Sequence, residues 1–194
     1  MVSVVMHFLK VFLYITLITL NTAHAMEYTG EIFETKQKAL ALKEDSSGKN
    51  FNLTFENENV EKLLQKLKAN DYISFQGARS SNVNSIRVDS INFVGLKDLI
   101  AVWKGDDRYC YSFINFTEFI IYPIRNGTCG KPPKLGKKYA YTINPTELTN
   151  WVLLLSSDQA NYVADLVIKS NNLIEISLYD SNTGYILKVI KLRK

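Results

Sequence analysis

The chain has 194 residues, with 23 Lys and Arg against 19 Asp and Glu, two histidines and two cysteines. A formal net charge of +4, spread rather than gathered into a long basic tract, argues against nucleic acid, because phosphate-backbone affinity needs clustered positive charge. Both histidines, His7 and His24, fall in the first 25 residues. The remainder therefore lacks the usual base near neutral pH, which excludes Ser-His-Asp and Cys-His catalysis and imidazole-ligated zinc.

Lys10 precedes an apolar run over residues 11–20, and polar Asn21-Thr22 leads into the small-x-small triplet Ala23-His24-Ala25. This order of charge, apolar run and small residues predicts a secretory signal peptide over residues 1–25, cut before Met26. The run is shorter than the ~20 residues that span a bilayer. The expected product is exported, to a periplasm or the extracellular space, and carries no transmembrane helix after cleavage.

Residues 26–97 carry ten basic and ten acidic side chains, and residues 98–194 carry twelve and nine. Two modules are expected, 26–97 and 98–194. In the first, strands are predicted at 28–33 and 38–43. In a third, over 51–55, Phe51, Leu53 and Phe55 share one face by period-two alternation. The period then changes. Val60, Leu63, Leu64 and Leu67 make one helical stripe, with Asn57 or Asn59 as cap and Glu58 and Glu61 at the positive end. Strands follow at 72–77 and 85–94, and a slip in apolar phase between Val88 and Ile91 predicts a bulge at Asp89-Ser90. Three strands, a helix and two strands resemble the OB-fold, here the small OB-type modules of secreted bacterial envelope proteins. The resemblance implies a five-stranded barrel with one helix at its base.

From Leu99 the pattern is all β, with strands predicted at 99–103, 109–114, 118–122, 138–143, 151–155, 163–169, 173–179 and 185–192. Turn-forming residues separate them, among them Asn126-Gly127, Asn144-Pro145 and Asn171-Asn172. Eight short strands in succession predict an antiparallel barrel or curled sheet. A strand ending in Trp103, with Gly105 nearby and Tyr109-Cys110-Tyr111-Ser112-Phe113 behind it, resembles the opening of lipocalin-like domains, although that family places its glycine before the tryptophan.

The stretch Val102-Trp103-Lys104-Gly105-Asp106-Asp107-Arg108-Tyr109-Cys110 gathers the residues most suggestive of chemistry. Adjacent Asp106 and Asp107 point to opposite sides of a strand, and glycine beside two aspartates is ordinary hairpin composition. Too few further oxygens follow for a calcium loop. In an oxidising compartment two cysteines predict a disulfide, Cys110–Cys129. No metal or cofactor site is expected. Trp103, Tyr109 and Tyr111 are the candidate binding surface, and Tyr28, Phe33 and Tyr72 could line a groove in the first module. Lys131 to Lys138 could touch an anionic surface, and the basic end from Lys188 to Lys194 reads as a protected edge strand.

These features lead to the expectation of a mainly β, non-enzymatic binding protein for a protein, glycan or small apolar ligand. Two other roles are open. One is an inhibitor that uses the hairpin from Tyr109 to Gly130 as a plug. The other is a carboxylate-only hydrolase, which needs two of Asp106, Asp107, Glu118, Asp165, Glu175 and Asp180 in one cleft.

Overall fold

A computed structural model describes residues 25–34, 40–80, 84–133, 136–146, 150–158, 160–180 and 183–194. The expected leader, but for Ala25, lies outside the described residues. The first part comprises β1 (Met26–Glu34), β2 (Leu40–Glu44), β3 (Asn50–Phe55), α1 (Glu58–Leu64), β4 (Tyr72–Arg79) and β5 (Ser85–Gly95). The second comprises β6 (Val102–Gly105), β7 (Tyr109–Phe113), β8 (Glu118–Pro123), β9 (Lys137–Pro145), β10 (Trp151–Ser156), β11 (Asn161–Ser170), β12 (Leu173–Tyr179) and β13 (Ile186–Arg193).

The first five strands close in the order β1-β2-β3-β5-β4 and back to β1. The crossover through α1 makes β3 run parallel to β5, while the other pairs are antiparallel. Each strand's alternation supplies the core: Phe51 and Leu53 are buried while Asn52 and Thr54 are exposed. Strand β1 serves two neighbours, and Gly30 stands opposite both Glu44 and Ile73. A Cβ there would strike the Lys43 carbonyl, so glycine lets the small barrel turn its corner. The Asn57 side chain caps α1 by accepting the Asn59 N–H at 2.8 Å. Val60, Leu64 and the following Leu67 are buried. In β5, Asp89 and Asn92 are extra to the ladder with β4, so the expected bulge is present and a second accompanies it.

Strands β6 to β13 form a sequential antiparallel meander, and β13 returns to β6 through Leu192↔Gly105 and Arg193↔Lys104. The result is a closed eight-stranded barrel. Two expectations change. Lys97–Leu99 is a 3-10 turn and the strand starts at Val102. Leu96 and Leu99 are buried between the barrels, and the Leu99 carbonyl accepts the Trp103 indole N–H at 2.9 Å. The basic C-terminal strand is not a free edge throughout, because it closes the barrel at Leu192 and Arg193.

One apolar core runs through both barrels. Val94 of β5 pairs with Ile143 of β9, and Phe116, in the β7–β8 turn, stacks on Tyr72 at 5.6 Å. Asp71 is buried beneath this junction and accepts the backbone N–H groups of Lys68 and Lys97, both at 2.8 Å. Burial pushes its carboxyl above the ordinary carboxylate range, partly offset by those two donors.

Candidate functional site: the interior of the eight-stranded barrel

In a closed meander successive connections alternate between the two ends. The β7–β8 turn meets the five-stranded barrel through Phe116. The opposite end therefore carries the β6–β7 turn, the β8–β9 loop, the β10–β11 loop and the β12–β13 loop.

Period-two alternation aims Trp103, Tyr111, Phe113, Phe119, Tyr139, Tyr141, Trp151 and Leu153 inward. The floor is filled. Trp103 packs above Leu99 with Lys194 Nζ 4.7 Å from its ring centroid, and Phe113, Phe119 and Tyr141 stack or meet edge-on within 5.1 to 6.0 Å. The Tyr141 hydroxyl donates to the Asn115 carbonyl at 2.7 Å. Toward the free end the packing opens into an apolar cavity of about 180 Å³, whose walls include Tyr111, Tyr139, Leu155, Tyr162, Ile176 and Ile190. Tyr139 and Tyr162 approach at 6.4 Å between ring centroids, with Lys137 Nζ 5.8 Å from the Tyr139 ring.

One wall of this cavity has a polar backing. Tyr111 donates to Asp107 at 2.7 Å, and Lys188 Nζ donates to the same oxygen at 2.6 Å. The Asp107 side chain is only 8 % exposed. Burial alone would raise its carboxyl; the bonds from Lys188 and Tyr111 and the lysine charge hold it below the ordinary range instead. The Tyr111 hydroxyl is pushed far above its usual value by burial and by its acceptor Asp107. Gly105 explains how this cluster fits: a Cβ there would collide with the Asp107 carboxylate and come within 2.8 Å of the Tyr111 ring.

Trp103 therefore lies inside on the floor and Tyr111 on the cavity wall, while Tyr109, on the same face of β7 as Tyr111, is exposed at the free rim. Asp106 accepts the Lys191 N–H at 3.1 Å at the seam between β13 and the β6–β7 turn. Cys110 faces outward and bonds Cys129, with 5.7 Å between their Cα atoms. With Ile120, Tyr122 and Ile124 the pair forms a separate apolar cluster, so the β8–β9 loop is fastened to the outer wall. In the five-stranded barrel Tyr28 is buried against Phe75 and Tyr72 is engaged at the junction, so neither lines an open groove. No local pattern singles out the cavity residues Tyr139, Leu155, Tyr162 and Ile176; closure of the meander brings them together.

The carboxylates do not converge. Of the six candidate carboxylates Asp107 alone points inward; Asp165 and Glu175 lie on the outer face of β11 and β12, Glu118 is beside Asn115 at the junction end, and Asp180 accepts the Thr183 N–H where β12 leads into β13. Among the described residues no three His, Cys, Asp or Glu side chains gather as a metal site requires, and no helix is long and apolar enough to cross a membrane. Comparison with known proteins returns no matching family model, no matching curated protein and no matching solved structure.

Proposed function

We propose that this is an exported, non-enzymatic binding protein that takes a small apolar molecule inside its eight-stranded barrel, in the manner of lipocalin-like domains, with an OB-like module as its base. The cavity of about 180 Å³ carries this reading. It is walled by aliphatic and aromatic side chains, and a dry apolar cavity of similar size, about 150 Å³, accommodates benzene. It is smaller than the roughly 300 Å³ of drug-sized pockets, so the ligand has one or two rings or a short alkyl chain. Release of apolar surface from water drives entry, and the Tyr139 and Tyr162 rings offer faces for stacking. Export is supported by the leader pattern of residues 1–25 and agrees with the Cys110–Cys129 bond. The plug reading has less support, because the hairpin's strands are barrel staves and its Phe116 is engaged by Tyr72. The hydrolase reading lacks two converging carboxylates.

Titration of methyl-labelled protein with indole tests the proposal. Shifts concentrated on Leu153, Leu155, Ile176 and Ile190, abolished when Leu155→Trp fills the space, are the expected result. Shifts scattered over the surface, or none with indole, naphthalene and octanol alike, overturn it.

A further inference from the structure

The free end of the eight-stranded barrel carries a feature that ligand binding does not use. Tyr185, Ile186 and Leu187 are consecutive, large and apolar, and are 76 %, 55 % and 59 % exposed. Val189 follows them on the outer face and is also exposed. Single exposed apolar residues are commonplace, but a contiguous group marks an interaction site. Hydrogen bonds tie Asp180 to the residues that lead into the group. Asp180 N–H donates to the Tyr185 carbonyl, Gly184 N–H to the Asp180 carbonyl and Thr183 N–H to the Asp180 carboxylate, each at 2.9 Å.

Charge surrounds it. Among the described residues, the loops and strand ends at this end bear Arg108, Arg125, Lys131, Lys137, Lys138 and Lys188 against Asp106, Asp107, Asp158 and Asp180. Asp107 is already neutralised by Lys188. Arg108, Arg125, Lys131 and Lys138 form no ion pair among the described residues.

We infer that the β12–β13 tip, Tyr185 to Leu187, inserts into an anionic lipid bilayer and brings the cation-rich end of the barrel down onto its headgroups. Projecting apolar side chains, an interfacial tyrosine and surrounding cations are what the boundary of an anionic bilayer accepts. A protein partner is less well matched. The ladder is irregular here, Ile186 pairing with Tyr179 and Lys188 with Leu178, so Leu187 stands outside it as a bulge and the three side chains do not build one flat strand face. Lipid closes around such a tip from every side. The inference is independent of whether the cavity takes a ligand.

Co-sedimentation of the secreted protein, its N-terminus read by mass spectrometry, with phosphatidylcholine vesicles and with vesicles containing 30 % phosphatidylglycerol tests it. Binding is expected to the anionic vesicles only. It should fall about tenfold or more in Leu187→Asp, and severalfold in Lys137→Gln/Lys138→Gln or in 0.5 M NaCl. Ile114→Asp, an exposed apolar site at the other end, should bind as the parent does, which controls for general loss of hydrophobicity; near-ultraviolet circular dichroism confirms folding of each variant. Equal binding to both vesicle types, no binding to either, or an unaffected Leu187→Asp overturns the inference. So does a dimer by light scattering that Leu187→Asp dissociates, which would assign the tip to a second copy of the chain.

Discussion

The two barrels are built from the same alternation of apolar and polar residues, yet one has room inside and the other is plugged. Strand number sets the radius of a closed sheet. Five strands bring Ile32, Leu42, Phe51, Ile73, Phe75 and Ile86 into mutual contact at the axis, with Val60 and Leu64 of α1 packed against them. Eight strands move the walls apart, and even a ring of aromatic side chains fills only the half nearest the junction. Aromatic content alone therefore does not mark a binding surface. The barrel that contains it must also be wide enough to leave space.

The largest expected effects test whether the two barrels are thermodynamically one body. Phe75→Ala and Trp103→Ala each remove a fully buried ring and should cost about 3–5 kcal/mol. Because a single core joins the barrels, each variant should move one urea transition as a whole. Two transitions, each answering to only one variant, would mean that the junction transmits little.

Next comes a cross-link that acts on one barrel. The Cys110–Cys129 bond closes a loop of sequence separation 19. Replacing both cysteines with alanine should cost about 3 kcal/mol in the chain-entropy model, read as a lower urea midpoint. This bond was legible beforehand because two cysteines in a chain whose sequence predicts export have few alternatives. The helix was legible too, from the stripe of Val60, Leu64 and Leu67. The start of β6 was not. Leu99 has the composition of a strand residue, but its burial between the barrels is a tertiary demand that overrides local propensity. Nor were the cavity walls, since Tyr139, Leu155, Tyr162 and Ile176 are far apart in sequence and resemble any inward-facing residues. The importance of Gly105 was likewise hidden, because it depends on the Asp107 and Tyr111 side chains that fill the space beside it.

Each region also holds one buried or nearly buried carboxylate, and the two should respond to pH in opposite senses. Asp71, whose carboxyl is raised in the folded protein, favours the folded state most when protonated. Its contribution declines as pH rises from the unfolded carboxylate value, about 4, to its higher folded value. Asp71→Ala should abolish that decline and should cost about 2 kcal/mol at neutral pH, by leaving the Lys68 and Lys97 N–H groups unpaired. Asp107 is lowered in the folded protein. Its contribution is complete above pH of about 4 and is lost as pH falls through its folded value. Because Lys188 is half-exposed, the ion pair is worth about 1 kcal/mol or less. Unfolding midpoints of Asp107→Asn and its parent should therefore converge in acid. Divergence in acid would reverse the assignment.

The smallest effect separates the regions by backbone conformation. Asn70 and Arg108 both have left-handed backbones, with φ of 71° and 70°. Asparagine tolerates that region and arginine does so poorly. Arg108 ends the three-residue β6–β7 turn, the position where glycine is preferred in such hairpins. Arg108→Gly should thus stabilise by about 0.5 kcal/mol, the relief of left-handed strain outweighing glycine's greater freedom in the unfolded chain, while Asn70→Gly changes stability by no more than a few tenths. The Arg108 substitution also removes a cation from the end of the barrel assigned to the bilayer. A variant that is more stable yet binds anionic vesicles less well would show that this position trades backbone comfort for charge. A variant that loses stability would mean that the arginine side chain contributes more to the fold than its backbone costs.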